Sequence, residues 1–318
     1  ELDLLTGANE QENVDLAQEE TLEEVNVELA EKLQDSKVTS TTLQDVTVEL
    51  EKQKALLKKE VTNLRKSAEN AVIRYATSEK SILDSKLALA LLLASDSKLF
   101  CDGSLITAKH VLTAAHCLHQ KGNADKLDPD DVLVLLGRHN LTLRAERSSA
   151  TRSVEKILIH ESWKHYTDKY DADLAILVLD RSVEFSQFIK PVCITREPKS
   201  LALTSGVVAG WGKGDSDKEH EDVPKRAEIS AVSDGECIEK QRDIGFLYTR
   251  RMFCAKGEDS GPCTGDSGGG FYAQFNGKWA LKGIVSVAKS DCDVTSYALY
   301  TKIVEFFDWI KTTVAANP

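Results

Sequence analysis

One short stretch decides how this chain folds: residues 263–269 read Cys-Thr-Gly-Asp-Ser-Gly-Gly. The glycines on both sides of Ser267 favour a tight turn that leaves the serine hydroxyl accessible. They also let the backbone approach a bound carbonyl group, so that the N–H groups of Gly265 and Ser267 can point at one oxygen atom. An ordinary loop can have the same composition, so the interpretation depends on partners elsewhere in the chain.

Two further stretches contain the groups that a serine nucleophile requires. Residues 112–117 read Leu-Thr-Ala-Ala-His-Cys, where the small residues before His116 let its ring reach a neighbouring hydroxyl. Asp173 begins an apolar run, where a carboxylate can be buried beside the imidazole and select its tautomer; Asp171 competes for this role. The chain order His116, Asp173, Ser267 therefore predicts a catalytic triad.

The C-terminal two-thirds of the chain has the pattern of an all-β domain. From about Leu87 onward, short apolar runs alternate with loops that contain Gly, Asp, Ser or Pro, which predicts a sandwich or barrel. These runs are Leu87–Ala94, Val132–Leu136, Leu174–Leu179, Val207–Ala209 and Ile284–Val287. At the end, Phe306, Ile310 and Val314 recur at helical spacing, which predicts a helix over Val304–Val314.

The N-terminal segment has a helical pattern instead. Residues 8–102 contain neither Gly nor Pro, and leucines recur every seven positions, as in one row of a coiled-coil seam. These leucines are Leu22, Leu29, Leu43, Leu50, Leu57 and Leu64. The second row is poor, so a coiled-coil or partner-binding stalk and a solvated amphipathic helix both remain open. Ser36–Thr42 predicts a break between two helices, and we expect a helical segment over 1–80 and a second domain over 81–318.

Charge and hydropathy exclude several classes of function. The 318 residues carry a net charge of −11, and residues 1–80 alone hold 18 acidic and 10 basic side chains, a net of −8. An acidic chain is a poor candidate for binding nucleic acid, whose phosphates require clustered Lys and Arg. The longest apolar run, Leu87–Ala94, is too short to span a bilayer, which takes about 20 helical residues. We expect no membrane contact, no metal and no cofactor.

On these motifs the chain resembles the trypsin/chymotrypsin (S1) family of serine proteases, and more loosely its secreted insect-type members. The resemblance runs from about Leu87 to Asn317. It rests on Cys101–Ile106, Thr113–Cys117, Asp173–Leu177, Pro191–Cys193, Ala209–Gly212, Met252–Ala255, Cys263–Gly269, Gly283–Ser286 and Trp309–Ile310. It implies a mainly β fold of two six-stranded antiparallel β-barrels, with the triad in the cleft between them and a C-terminal helix. It also implies that Ser286 hydrogen-bonds Asp173.

All seven cysteines lie beyond residue 100, and an odd number by itself fits either reduced thiols or disulfides with one cysteine left over. The resemblance implies the disulfides Cys101–Cys117, Cys237–Cys254 and Cys263–Cys292. Cys193 is then either a free thiol or bonded to a separate partner chain. Disulfides imply an extracellular, secreted protein, and Asn140 begins an N-glycosylation sequon.

The resemblance fails at the start of the domain. Proteases of this family are activated by a cut that frees an Ile-Val-Gly-Gly-like terminus, whose amino group pairs with the residue before the nucleophile, here Asp266. No such motif precedes Cys101, and a cut after Arg74 would expose Tyr75 at the corresponding spacing. We expect a zymogen that is nearly inactive until it is cut within the region Arg65–Lys80.

The resemblance leaves the substrate preference open between two residue classes. The pocket floor corresponds to Gly261, and alanines at the wall positions 288 and 298 narrow the pocket beside Ser286, which favours a small apolar side chain. Alternatively, Asp259 reaches the floor and binds a basic side chain.

Two functions of different classes fit these features. The first is a secreted serine endopeptidase that hydrolyses protein or peptide substrates through an acyl-enzyme. The alternative is a zymogen-locked or inactive protease homologue that acts as a binding or regulatory protein through its helical segment.

Overall fold

The computed structural model describes residues 23–28, 44–63, 65–66, 89–119, 125–143, 146, 149–164, 169–196, 204–214, 218–240, 242–275, 278–288, 292–293 and 297–318. The chain divides into two compact units, Glu1–Arg74 and Tyr75–Pro318. The domain boundary predicted at residue 80 lies outside the described residues. Among the helices described here, none has both the length and the apolar character needed to cross a membrane.

The first unit is helical where it is described. Residues 23–28 form helix α1, and residues 44–63 form helix α2, with residues 65–66 also helical. The residues of α2 are exposed except Leu50, which is half-buried, and Leu57 is 45 % exposed. The predicted helix is therefore confirmed, whereas the coiled coil stays a prediction. The other seam leucines and the break predicted at Ser36–Thr42 lie outside the described residues.

Six strands of the second unit close into the first barrel in the order β1-β2-β3-β6-β5-β4. They are β1 Leu89–Leu93, β2 Leu99–Leu105, β3 His110–Thr113, β4 Val132–Leu136, β5 Ala150–Ile159 and β6 Ala175–Leu179. The barrel closes because β1 pairs antiparallel with both β2 and β4. Leu91, Leu112 and Leu177 are fully buried inside it, and each such side chain contributes about 1.5–3 kcal/mol through burial.

The second barrel follows the order β11-β8-β9-β10-β13-β12 and is closed by the pairing of β11 with β12. Its strands are β8 Ser205–Gly210, β9 Lys225–Ala231, β10 Met252–Gly257, β11 Gly270–Phe275, β12 Lys278–Val287 and β13 Ala298–Lys302. The rings of Phe253, Phe271 and Tyr300 pack together in its core, with centroids 5.1–5.6 Å apart. The short strand β7, Cys193–Ile194, adds to β12 in parallel. The predicted fold of two six-stranded antiparallel barrels is confirmed.

Two short helices lie between strands of the second barrel, and a third follows its last strand. Helices α3 Asp234–Lys240 and α4 Arg242–Gly245 precede β10, and a 3₁₀ turn over Ile303–Phe306 leads into α5 Phe307–Ala316. Phe306 and Ile310 are 2 % and 4 % exposed, and Val314 is half-buried. The predicted C-terminal helix is therefore confirmed, with its apolar side packed against the barrel core.

The disulfides link the cysteines that the resemblance implied. Bonds join Cys101 to Cys117, Cys237 to Cys254 and Cys263 to Cys292. Cys193 on β7 is exposed and unbonded. The first bond ties β2 to the turn that follows β3, beside the predicted base His116.

Candidate active site

The turn after β3 positions His116. This residue lies in the 3₁₀ turn Ala115–Leu118, which follows the fully buried Ala114. Its Nδ1 is 2.7 Å from Asp173 Oδ2, and its backbone N–H donates to Asp173 Oδ1 at 2.8 Å. Because a carboxylate only accepts hydrogen bonds, Nδ1 carries a proton and Nε2 is left to accept one.

Asp173 is held between the two barrels. It is fully buried and lies two residues before β6 of the first barrel. Ser286 Oγ on β12 donates to Asp173 Oδ2 at 2.6 Å, and Thr301 Oγ1 on β13 donates to the backbone oxygen of Asp173 at 3.0 Å. Ser286 sits where the pairing of β12 with β13 shifts register. From the second barrel, Ser286 thus supplies a donor that helps to compensate for burying the carboxylate, and Thr301 fixes the backbone of Asp173.

Asp173 also controls the basicity of His116. Burial by itself lowers the pKa of this imidazole, but the charge and the hydrogen bond of Asp173 outweigh burial and raise the pKa above the ordinary 6.5. The ring of Tyr170 packs edge-on against the imidazole with centroids 5.8 Å apart. The sequence analysis missed Tyr170, because an aromatic residue three positions before an aspartate has no distinctive pattern.

The competing carboxylate, Asp171, binds Arg251 and Thr249. Arg251 donates to it from Nε at 2.9 Å and from Nη2 at 2.6 Å, and Thr249 donates at 2.9 Å. The Arg251 hydrogen bond lowers the pKa of Asp171. Ala172 has a left-handed φ of 56°, which lets the two neighbouring carboxylates reach different partners. Asp173, not Asp171, therefore faces His116.

Ser267 lies in the loop between β10 and β11, where Gly265 and Gly268 have φ values of +103° and +80°. Its backbone oxygen accepts the N–H of Asp102 at 2.8 Å. In the described part of the chain, no backbone carbonyl accepts the N–H of Gly265 or Ser267, and their role as oxyanion donors stays a prediction. No hydrogen bond joins the Ser267 hydroxyl to His116 Nε2 among the described residues; Cys117 Sγ lies 3.8 Å from that nitrogen.

The Asp266 side chain contacts the backbone of neighbouring loops. Its carboxylate accepts the N–H groups of Gly212 and Cys263, both at 2.9 Å. Burial raises the pKa of Asp266 to about 6, although the two amide donors oppose this. Asp266 also lines a cavity of about 290 Å³ that does not include Ser267 or His116 among its lining residues.

The residues predicted for the substrate pocket fall into two groups. Asp259 and Gly261 line the same cavity as Asp266, and the Asp259 side chain is exposed. Ser286 and Ala298 are buried on β12 and β13, and Ala288 is half-buried just beyond β12. The structure therefore joins Ser286 to Asp173, and it does not gather all five residues around the one cavity.

One cluster near His116 has the composition of a metal site. Cys101, His116 and Cys117 bring their ligand atoms within 4.8 Å of one another. Both sulfurs belong to one disulfide and are not thiolates, so the cluster lacks the ligands that zinc requires. At the predicted glycosylation site, Asn140 Oδ1 accepts hydrogen bonds from Thr142; its modification stays a prediction.

The sequence analysis also missed Asp102. This residue lies on β2 and is fully buried, and within the described part of the chain its carboxyl oxygens make no hydrogen bond of good geometry, although the Trp211 backbone lies close to them. Burial and the charge of Asp266 raise its pKa well above the usual value, and the nearby Trp211 backbone offsets only part of this. The available signal was Asp102 itself, the one charged residue of the strand Leu99–Leu105.

Comparison with known proteins agrees with this geometry. A family model described as Trypsin matches residues 78–310. Coagulation factor IX of Cavia porcellus is 30 % identical over 223 residues, which cover 69 % of this chain and 74 % of that protein. Serine protease gd of Drosophila melanogaster is 30 % identical over 256 residues, which cover 67 % of this chain and 47 % of that protein. The chain thus spans about half the length of the second relative.

Proposed function

Because the chain belongs to the trypsin family of serine proteases, we propose that it is a secreted endopeptidase with Ser267 as nucleophile, His116 as base and Asp173 as the orienting carboxylate. The observation that carries the proposal is the 2.7 Å contact between His116 Nδ1 and a fully buried Asp173. That contact leaves His116 Nε2 as the acceptor that a serine nucleophile requires. Both relatives are named as a protease or a coagulation factor.

In the proposed reaction, His116 and the oxyanion amides act in both steps, first in forming the acyl-enzyme and then in hydrolysing it. Ser267 Oγ attacks the substrate carbonyl carbon as its proton passes to His116 Nε2, and the N–H groups of Gly265 and Ser267 bind the resulting oxyanion. The C–N bond breaks when His116 returns the proton to the leaving amine. Water then repeats the attack on the acyl-enzyme, which releases the acid and regenerates the Ser267 hydroxyl.

A fluorophosphonate probe tests the assignment, because it labels a serine only where an assembled base activates it. We expect stoichiometric labelling of Ser267 in the cut protein and no labelling of Ser267→Ala. Removing the nucleophile should also lower kcat by several orders of magnitude. If neither the uncut nor any cut form labels, the endopeptidase proposal is wrong and the binding-homologue alternative takes its place.

For specificity, we propose a preference for small apolar side chains at P1. Ser286 and Ala298 are both buried, on the paired strands β12 and β13, and alanine at the wall positions 288 and 298 leaves less room for a substrate side chain than glycine would. Fluorogenic peptides with Ala or Val at P1 are expected to have higher kcat/KM than peptides with Lys or Arg. Faster cleavage after Lys or Arg that is lost in Asp259→Asn would instead support Asp259 as the specificity residue.

A further inference from the structure

Arg251 joins the two barrels close to the triad carboxylate. It lies directly before β10 of the second barrel, and its guanidinium donates to Asp171 of the first barrel from Nε at 2.9 Å and from Nη2 at 2.6 Å. Thr249 Oγ1 donates to the same carboxylate at 2.9 Å. The guanidinium also lies over the ring of Phe306, with Cζ 5.0 Å from the ring centroid. Together these contacts fix both the position and the plane of the arginine.

The backbone between Asp171 and Asp173 needs support from its surroundings. Ala172 has a φ of 56°, in the left-handed region that residues with a side chain rarely adopt, and it is buried. A residue keeps such a conformation only where the contacts around it over-determine it. Asp173 is held on one side of Ala172 by its contacts in the triad. The hydrogen bonds of Asp171 hold the other side.

We propose that Arg251 is a positioning residue for the reaction: by binding Asp171 it holds the turn at Ala172 and so keeps the Asp173 carboxylate aimed at His116. The proposal rests on the endopeptidase function proposed above and adds a residue of the second barrel that acts through a loop of the first. Without Arg251 the loop would be free to turn, and the 2.7 Å contact between Asp173 and His116 Nδ1 would lengthen.

Loosening of that contact has a measurable signature at His116. Asp173 holds the pKa of His116 above 6.5 against the effect of burial, so a carboxylate that turns away lets this pKa fall. The acid limb of activity then moves to lower pH. The Tyr170 ring against the imidazole stays uncharged in this range, because burial raises the pKa of its hydroxyl above 10.

The remaining charged groups around Arg251 do not produce the same change. Glu161 and Glu305 face the guanidinium, and neither is altered in the variants below. The imidazole of His160 has its pKa lowered by burial and in part by the charge of Arg251. Removing the arginine would therefore raise the pKa of His160, whereas we expect the pKa of His116 to fall.

Histidine NMR measures the effect directly. The full chain with Ser267→Ala is labelled with ¹³C at the histidine Cε1 positions, and the His116 signal is assigned by its loss in His116→Gln. Its chemical shift is then followed from about pH 5 to about pH 9. We expect the pKa of His116 to fall by about half a pH unit or more in Arg251→Met. Arg251→Lys, which keeps the charge and a donor, should recover part of the difference.

Arg196 supplies a matched control, because it makes the same two kinds of contact elsewhere in the molecule. Its guanidinium pairs with Asp308 and lies over the ring of Phe307, with Cζ 4.9 Å from the centroid. Neither of these partners belongs to the loop that carries Asp173. Arg196→Met should therefore leave the pKa of His116 and the activity where they are in the parent protein.

Two substitutions of Asp171 separate its hydrogen bonds from its charge. Asp171 Oδ1 accepts from both Thr249 Oγ1 and Arg251 Nε, and the amide oxygen of Asp171→Asn can still accept both. We expect Asp171→Asn to keep the parent pKa at His116, and Asp171→Ala to lower it as Arg251→Met does. Asp171→Ala also serves as the second test if Arg251→Met does not fold.

Activity of the cut protein, with Ser267 intact, gives the second readout. For a neutral single-residue ester, which reaches no subsite beyond P1, we expect kcat to fall about 10- to 100-fold in Arg251→Met, with KM within about threefold of the parent value. An unchanged pKa of His116 in both Arg251→Met and Asp171→Ala would overturn the positioning role. The same fall of that pKa in Arg196→Met would overturn it as well.

The positioning role and the peptidase activity can fail separately. The NMR titration uses a chain without the nucleophile, so it reports on the contact between His116 and Asp173 whether or not the protein is a peptidase. A lowered pKa in Arg251→Met, with no ester hydrolysis by the parent, would retain Arg251 as the support of this pair and reject the endopeptidase. Hydrolysis by the parent with no fall of the pKa would retain the endopeptidase and reject the role of Arg251.

Discussion

Four aspartates near the nucleophile have four different environments, and these environments determine their roles. Asp173 receives donors from His116 and Ser286, and Asp171 pairs with Arg251. Asp266 accepts two amides, and Asp102 is fully buried near Asp266 and the Trp211 backbone. The chemistry of a carboxylate depends on burial and on the charges around it. The four aspartates therefore differ in their hydrogen-bond donors and in the charges that lie next to them.

The contact with Asp173 predicts the pH dependence of activity. Since the protonated imidazole cannot accept the serine proton, activity falls as pH drops through the pKa of His116, which Asp173 raises above 6.5. We expect the acid limb of kcat/KM to lie above pH 6.5, as measured on the cut protein with a neutral peptide substrate. Asp173→Asn should shift that limb to lower pH and reduce kcat by roughly 10⁴-fold.

Asp171→Asn is the matched control for this profile, because it changes the neighbouring carboxylate that binds Arg251. Its acid limb should remain where it is in the parent protein. A limb at or below pH 6.5, or one that moves in Asp171→Asn and not in Asp173→Asn, would contradict the assignment.

The loop between β10 and β11 depends on close contact with the first barrel. Asp102 on β2 donates its N–H to Ser267 O, and Thr113 Oγ1 on β3 donates to Asp102 O at 2.8 Å. Gly268 packs against these two hydrogen bonds with a φ of +80°. A Cβ atom there would lie 2.2 Å from Thr113 Oγ1 and 2.5 Å from Asp102 O. The position tolerates no side chain, because both the conformation and the space exclude one.

Gly268→Ala should therefore displace the loop and disturb the oxyanion amides. We expect a loss of at least about a hundredfold in kcat, the scale of losing one oxyanion donor, and weaker fluorophosphonate labelling. Gly235→Ala is the control, since no atom lies within 4 Å of a Cβ at that position. Equal kcat in the two variants would show that the contact of Gly268 with the first barrel does not determine the geometry of the Ser267 loop.

The molecule divides its site between two barrels. The first carries His116 and Asp173, whereas the second carries Ser267 and the Ser286 hydroxyl that reaches Asp173. Asp266, for which the resemblance implies pairing with a new amino terminus, is adjacent to the nucleophile and lines a cavity beside β8 and β9.

We predict that the uncut chain is nearly inactive and that cleavage near Arg74 activates it. Limited trypsin digestion, N-terminal sequencing and assay of each product test this, with Lys66 and Lys80 as the other cut sites to compare. Arg74→Gln should block activation, while Lys80→Gln should leave it intact. Full activity of the uncut chain would rule out a zymogen.

The disulfides of this domain predict unequal effects of cysteine substitution. Replacing Cys101 and Cys117 together by serine should cost about 2–5 kcal/mol in the free energy of unfolding, because it removes a bond beside the site. Cys193→Ser should leave stability nearly unchanged, since this thiol is exposed and unbonded. Chemical denaturation measures both. A large loss in Cys193→Ser would indicate a bond that the pairing scheme omits.

The strand pattern and the residues around the nucleophile were readable from the chain, because glycine-flanked turns and alternating apolar runs are local properties, whereas the disulfide pairing was implied by the resemblance to the S1 family. Asp173 was chosen over Asp171 from the sequence, but the physical reason came from the tertiary structure, in which Arg251 binds Asp171 and Ser286 donates to Asp173. Asp102 was visible only as a charged residue within a strand, and its neighbours in space were not. Its burial against Asp266 arises from the contact of two barrels about 160 residues apart in sequence, and only the tertiary structure brings such groups together.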